Sequence, residues 1–465
     1  MLKKTLSVLL TVLLVLSALP LAALPAFADP EPDPEPAATW TYDENTKTLT
    51  VSGELPEFDL EEYEISDLPD LLPWGGVMTD VEHLVVAEGV TKIPEGCFAC
   101  MFALQDAVLP ATLTEIGVGA FSYDSSLKTV DLPAGLTSIG ESAFMFTALE
   151  DVTVPGTVTD LGPAFVYCLL LDDVVLGEGM ETVNYAFEYA AVNNLTVPST
   201  LTSFESSFEL KNKLVNRSAA AVVSDKLFRH GDAFDPEFYI FFMSLQVKSM
   251  LMYGEDLTQE QIEALYAEVS QWLLENRGLE ITDPEEIEAY ADTVLGGAGY
   301  NGATPGSEFH CLSDSAEHEM LRDLGYPHYL LDQEDALCAD PAGGKAGETI
   351  NWTLNEDTGV LTLTGHGRMY DVSRLGYRYY EDQITSVSFV NEGGDITYLG
   401  TKAFADLPLL RVLNIPEGVT GCGSSLIRDS GVHTLSIPST LTYLSAEALM
   451  LGTAELNTVT VAQPN

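Results

Sequence analysis

One spacing dominates this chain. A phenylalanine preceded by a small residue stands at Phe98, Phe121, Phe144, Phe165, Phe187 and Phe208, returning every 21 to 23 residues. The segments ending at these residues align, for example LQDAVLPATLTEIGVGAF with LKTVDLPAGLTSIGESAF. A period of this length is the signature of a stacked-coil architecture. Leu127, Val130 and Leu132 have the spacing of a short strand with alternate side chains inward. Pro133 ends the strand because it cannot donate to a ladder. Leu136 and Ile139 form a second inward pair, Gly140 supplies a turn, and Ala143 with Phe144 closes the coil. One unit cannot bury such a face alone, but stacked neighbours can. The unit returns near the C-terminus, ending at Phe404, Ile427 and Leu449, with a half-unit at Leu456 to Val461.

The shared pattern, L-x-x-V-x-L-P-x-x-[LV]-T-x-I-G-x-x-A-F, resembles the BspA-type (treponemal) leucine-rich repeat of bacterial surface proteins. It covers roughly residues 81–210 and 384–461, a little under half of the chain. The resemblance implies an α+β repeat fold: two leucine-rich-repeat solenoids with parallel strand ladders. It also implies an extracellular protein of the adhesion or protein-binding kind. No functional residues carry over, because the motif positions are structural.

A larger repetition accompanies the small one. Trp40 to Gly53 matches Trp352 to Gly365 without a gap. Each reads as a β-hairpin, with Leu49 and Val51, or Leu361 and Leu363, on one face. Such hairpins resemble the N-terminal caps that keep a first coil from exposing its edge. Two caps predict two tandem arrays with a small helical insertion between them. The expected order is a signal peptide over 1–28, a Pro/acid-rich spacer over 29–38, and a first capped array over 39–233. The helical insertion follows over 234–300 and a strand-helix-strand closing segment over 301–338. A linker over 339–347 leads to the second cap and short array over 348–465. In the insertion, Asp235-Pro236 opens a first helix with Gly254 as its stop. Thr258 and Gln261 form a capping box that opens a second, closed by Gly278, and Asp283-Pro284 opens a third. The apolar stripes predict a helix-bundle core rather than a membrane span, which needs about 20 apolar residues. Ser218 to Gly231 resembles, more weakly, the closing segment at His310 to Leu331.

Lys3 and Lys4, the apolar run from Leu6 to Leu24 and the small-x-small site at Ala26-Phe27-Ala28 predict secretion, with Asp29 as the mature start. No Cys stands at that site, which argues against a lipoprotein anchor. The acid and proline alternation from Asp29 to Pro36 predicts an extended spacer. With 71 acidic against 20 basic residues the formal charge is −51. That excludes a nucleic-acid binder, which must neutralise phosphates, and an anionic lipid surface. It suits solubility, cationic partners or divalent cations such as Ca²⁺, although no motif calls for a cofactor.

The search for chemistry is negative. GxGxxG, P-loop, HExxH and GxSxG patterns are missing. His318 in EHEML lacks a second histidine on its helix, and His310, His318 and His328 read as neighbours in sequence only. No metal ligands are predicted. Asp124, Asp172 and Asp173 are placed in or near turns without an EF-hand pattern. The six cysteines, Cys97, Cys100, Cys168, Cys311, Cys338 and Cys422, are too sparse for a disulfide scaffold. Cys97, Cys168 and Cys422 stand at core positions of the repeat, so buried thiols are expected. Cys97–Cys100 and Cys311–Cys338 bridges remain the alternative.

The outward strand positions are the candidate site. One row reads His83, Asp106, Thr129, Asp151, Asp173 and Asn194. Its neighbour reads Val85, Val108, Asp131, Thr153, Val175 and Thr196. Asp106, Thr129, Asp151, Asp173, Asn194, Asp131 and Thr153 are the candidate ligand-binding residues, since solenoids bind through such faces. The second array offers Ser386, Val412, Thr434 and Thr458. The expected function is a non-catalytic, secreted or cell-surface module that binds an extracellular protein or glycan. A cation-stabilised structural component of the envelope is the alternative, and an enzyme the least favoured. No membrane insertion is expected after signal cleavage. The final coil, which no closing cap follows, offers an edge for pairing with another chain.

Overall fold

The computed structural model describes residues 38–57, 67–206, 208–223, 227–229, 234–253, 257–295, 300–301, 307–338, 343–372, 375–445 and 456–462. Expectations for residues 1–37, for Gly231, Gly254 and Leu449, and for the last three residues lie outside these.

The first hairpin pairs β1 (Thr39–Asp43) antiparallel with β2 (Thr48–Ser52). The Asp43 carboxylate fixes its turn by accepting from the Asn45 and Thr46 amides at 2.9 and 3.4 Å. Leu49 and Val51 face inward and are fully buried. From β2 a parallel ladder begins with β3 (His83–Val86) and adds one strand per coil. β4 (Asp106–Val108) and β5 (Thr129–Val130) complete this sheet, and a second sheet carries the stacking on through β6 (Asp151–Val154), β7 (Leu171–Leu176), β8 (Ala191–Val197) and β9 (Glu209–Asn216). Between β5 and β6 the Glu150 amide donates to the Lys128 carbonyl at 3.1 Å. Shorter strands at Lys92–Ile93, Glu115–Ile116 and Ser138–Ile139 form a second parallel ladder. Those at Asp160–Leu161, Thr182–Asn184 and Ser203–Glu205 form a third.

The repeat motif now has a physical account. Its threonine turns a hydroxyl onto the carbonyl of the preceding coil: Thr137 onto Thr114, and Thr114 onto Thr91, each at 3.0 Å. Its glycine permits close approach, since a Cβ on Gly140 would lie 2.4 Å from the Val118 nitrogen. Its phenylalanines are fully buried and stacked, with Phe121–Phe144 and Phe144–Phe165 centroids 5.3 Å apart. Trp74, which precedes the first repeat, heads this stack 5.5 Å from Phe98.

Two residues beyond each phenylalanine from Phe98 to Phe187 the backbone turns left-handed, at Cys100, Tyr123, Phe146, Tyr167 and Tyr189, with φ between 57° and 64°. Positive φ is unusual for bulky residues, yet the turn recurs coil after coil. Four of these side chains stack into an outer aromatic row, Tyr123–Phe146–Tyr167–Tyr189, at 4.8 to 5.2 Å.

The helical insertion docks on that row. Its helices are α1 (Pro236–Tyr253), α2 (Gln259–Arg277) and α3 (Pro284–Leu295). Tyr239 of α1 lies 6.0 Å from Phe146 and 6.1 Å from Tyr167. The Thr258–Gln261 capping box forms in both directions, and Gly278 ends α2 in the left-handed region. Phe238, Leu245, Val269, Leu273 and Ile287 make the helices' own core. No described helix is long and apolar enough to cross a membrane.

Although residues 217–307 intervene, β10 (Glu308–Cys311) joins the second sheet in parallel with β9. Then α4 (Ala316–Leu324), capped by Ser315, leads to β11 (His328–Leu330), parallel to β10. The antiparallel β12 (Ala336–Cys338) ends the sheet. The second array starts with β13 (Gly343–Lys345), β14 (Ile350–Asn355) and β15 (Val360–Arg368), with β14 antiparallel to both β13 and β15. A long strand, β16 (Ser386–Leu399), then pairs in parallel with β15. β17 (Val412–Asn414), β18 (Thr434–Ile437) and β19 (Thr458–Val461) form a further parallel ladder. Trp40 of the first hairpin is 38% exposed, whereas its counterpart Trp352 is fully buried. The Trp352 indole donates to the Leu324 carbonyl at the end of α4, at 3.0 Å. The second hairpin is therefore a joint, covered by the closing helix of the first array.

Candidate binding face

The two sheets of the first array carry an outward row, in register within each sheet. Thr48, His83, Asp106 and Thr129 stand in register, as do Asp151, Asp173, Asn194, Lys213 and Glu308. His83 Nδ1 lies 2.7 Å from Asp106 Oδ2, and Asn212 donates to Asn194 Oδ1 at 2.6 Å. In the second row Thr50, Val85 and Val108 align, and Thr153, Val175, Thr196, Val215, His310 and Tyr329 continue it. Val108 is 56% exposed on this row. Asp131 lies exposed one residue beyond β5, outside any strand pair.

Lys213, Glu308, His310 and Tyr329 extend the face beyond the residues expected from the repeat. The extension was hidden by a bulge, because Val192 and Asn194 on β8 face Leu210 and Lys213 on β9. That extra residue breaks the L-x-x-L spacing. His310 stacks on Tyr329 at 4.6 Å and sits 3.3 Å from both Glu308 and Asp335 carboxylates.

Two expectations need correction, those for Asp172 and Asp173 and for the histidines. Asp172 and Asp173 lie within β7 rather than in turns, and their carboxylates converge with that of Asp151 to within 4.8 Å on the exposed face. Asp172 is also held by Asn193 at 2.6 Å. Asp124 stands between turn residues, as expected, and is fully buried: Oδ1 accepts from the Met101 amide at 2.8 Å while Oδ2 has no partner. Burial pushes its carboxyl well above the usual range. The histidines do not cluster only in sequence. His318 Nδ1 and His328 Nε2 are 2.8 Å apart, with Cys311 beside them. The turn at Gly325 (φ 83°) folds β11 back along α4 and brings the two rings together. Burial holds His328 below the ordinary histidine range and pushes the Cys311 thiol up to about 12.

In the second array Val412, Thr434 and Thr458 share one register, but Ser386 aligns with Val360 instead. β16 is long enough to serve two ladders, pairing with β15 from Ser386 to Tyr398 across a bulge while Tyr398 and Leu399 also pair with Gly421 and Cys422. All six cysteines carry free thiols, five of them buried.

A groove of about 580 Å³ opens where α1 and α2 meet the coil turns, bounded by Gln105, Ser126, Lys128, Phe241, Lys248 and Trp272. Its size is that of small-molecule sites. Lys128 and Lys248 are engaged by Glu150 and Glu268 at 2.8 and 3.2 Å.

Comparison with known proteins identifies the coils. The family described as "BspA type leucine rich repeat region" matches six copies, over residues 84–214 and 376–463. Among solved structures, a leucine rich cell surface protein from Faecalibacterium prausnitzii is 15% identical, with 96% of each chain covered and a TM-score of 0.37. A leucine-rich repeat protein from Eubacterium ventriosum is 12% identical, covering 92% of this chain and 97% of that one, with a TM-score of 0.34. One from Bacteroides ovatus is 12% identical, covering 92% and 98%, with a TM-score of 0.32. No curated protein matches the chain.

Proposed function

From a chain whose coils are BspA-type leucine-rich repeats, we propose a non-catalytic binding module, secreted or held at the cell surface. It engages an extracellular protein or glycan through the strand face of its first array. The observation that supports this reading is the outward row from Thr48 to Glu308, carried by successive strands of one array. At about 4.8 Å per strand the row is roughly 40 Å long, a scale suited to a protein segment or an oligosaccharide chain. Asp106, Asp151 and Asp173 outweigh Lys213 on it, which favours a basic or neutral partner over a sulfated or sialylated one. The apolar Val108 and Val175 in the adjacent row add contact area that needs no charge.

The test uses the mature protein from Asp29 on glycan arrays and in pull-downs from host and bacterial surface extracts. A D106K/D151K/D173K variant should lose the captured partner, while a variant altered on α3 keeps it. Retained binding by the triple variant would move the site elsewhere. An absence of any captured component would remove the reading. Secretion is checked by N-terminal sequencing of the protein in culture supernatant, with Asp29 as the expected first residue.

The convergence of Asp151, Asp172 and Asp173 supports a second reading, a cation-stabilised envelope component. Millimolar Ca²⁺ would then raise the melting temperature by relieving self-repulsion. An unchanged melting temperature would exclude it.

A further inference from the structure

We propose that Cys311, His318 and His328 form a transition-metal site that takes Zn²⁺, pinning the closing strands of the first array. The three residues come from the end of β10, the first turn of α4 and the start of β11. The sulfur and one imidazole nitrogen from each ring lie within 4.8 Å of one another. Cys311 and His328 are buried, and His318 is half-buried, giving the ion a route from solvent.

The hydrogen bonding prepares the ligands. His328 Nδ1 is 2.8 Å from the Tyr326 carbonyl. A carbonyl only accepts, so Nδ1 carries the proton and Nε2 presents its lone pair. A backbone carbonyl behind the ring is the usual orienting partner of a metal-bound histidine. His318 Nδ1 is 2.8 Å from that same lone pair, so in the metal-free chain its proton occupies the place the ion would take. Zn–N near 2.0–2.1 Å and Zn–S near 2.3 Å require about 3.3 Å between the nitrogens and about 3.6 Å between sulfur and nitrogen. The imidazoles must part by roughly half an ångström and the sulfur move in by up to about 1.2 Å, shifts that side-chain rotation supplies.

The proton balance is simple. The Cys311 thiol releases one proton to solvent, and His318 moves its proton from Nδ1 to Nε2. The bound ion and thiolate together carry one positive charge, and water takes the fourth position. Binding therefore weakens as pH falls. The soft thiolate with two imidazoles selects zinc-like ions over calcium or magnesium. The ion would tie β10, α4 and β11 together behind Leu324, whose carbonyl receives the Trp352 indole, and so stiffen the joint between the arrays.

Cys338 stands opposite His328 in the antiparallel β11–β12 pair, so a Cys311–Cys338 disulfide is the competing outcome. The test uses the mature chain, reduced and stripped with chelator, then titrated with Co²⁺ and Zn²⁺. One Co²⁺ per chain is expected, with a near-ultraviolet thiolate-to-cobalt band and intense four-coordinate visible bands, displaced by one Zn²⁺. C311S and H318Q should each lower Zn²⁺ affinity by about 100-fold or more, and C311S should abolish the thiolate band. H310Q and C338S should keep both. Circular dichroism checks folding, and H318Q, altered at the half-buried ligand, carries the test if C311S does not fold. Less than one equivalent in the reduced wild type would overturn the site. So would a spectrum without the thiolate band, loss of binding in C338S, or a Cys311–Cys338 disulfide in metal-free secreted protein.

Discussion

Phe121 and Phe144 lie 23 residues apart and stack with their planes 2° from parallel and their centroids 5.3 Å apart. That separation is one coil of the solenoid, slightly wider than the ~4.8 Å between hydrogen-bonded strands. Phe144 also contacts Phe165 at 5.3 Å, so it sits mid-stack with rings on both sides. Phe144→Ala should cost about 3–5 kcal/mol by the usual cavity and transfer terms. Phe144→Leu should cost less. Because coils contact only their neighbours, hydrogen exchange should quicken first between Phe121 and Phe165. Denaturant melting with residue-level exchange checks both statements, and a uniform change across the chain would argue against the stacked-coil account.

Asp124 supplies a pH-dependent prediction. Its carboxyl is buried, with one oxygen lacking any partner, and burial raises its pKa well above the ordinary 3.8. Between the unfolded and folded values the native state therefore holds a proton that the unfolded chain has lost. Stability from this group is complete below about pH 3.8 and falls as pH rises toward the folded value, by up to about 1.4 kcal/mol per pH unit. Asp124→Asn keeps an oxygen for the Met101 amide and removes the ionisation. The variant should be more stable than wild type at pH 7–8, and the gap should close toward pH 4. Parallel melting curves across that range would refute the buried, protonated acid.

In the second array a buried ion pair replaces part of the apolar core. Arg378 donates to Asp406 at 2.9 Å and to the Ala405 carbonyl, with Glu381 at 3.6 Å. Arg378→Ala would leave those carboxylates in a buried setting with their main cation removed. A loss of about 3–5 kcal/mol is expected. Chemical denaturation, read by the tyrosines of the second array, measures it. A loss below about 1 kcal/mol would mean that water replaces the guanidinium, as at surface pairs.

Which parts of this fold could be read in the sequence follows from what repeats. The phenylalanine stack, the inward strand positions and the two hairpins were legible because one physical demand recurs at a fixed spacing. Trp74 was not, since it heads the stack from a segment that lacks the motif. The left-handed turns went unread because the positions that share the conformation mix the aromatic Tyr123, Phe146, Tyr167 and Tyr189 with Cys100 and, in the second array, with Asp406 and Asp429. The strand face was legible as far as Asn194. Its continuation through Lys213, Glu308 and His310 depended on a bulge and on β10 joining across residues 217–307. The pairing of His318 with His328 depended on the direction in which α4 returns the chain.

The joint between the arrays yields the last prediction. The Trp352 indole donates to the Leu324 carbonyl at 3.0 Å inside a buried contact. Gly325, next to it, has φ 83°, and a Cβ there would lie 2.3 Å from the Gly343 oxygen and 2.7 Å from the Trp352 ring. Trp352→Phe keeps an aromatic ring but leaves the carbonyl without this donor, a loss of about 1–3 kcal/mol. Gly325→Ala adds backbone strain to a backbone clash and should open the contact further. Both variants should speed hydrogen exchange in α4 and β14 while leaving the coils from Phe98 to Phe165 at wild-type rates, since a solenoid's coils couple chiefly to their neighbours. If exchange in those distant coils rose equally, the two arrays would have to unfold as one cooperative unit, and the joint would be part of a single core.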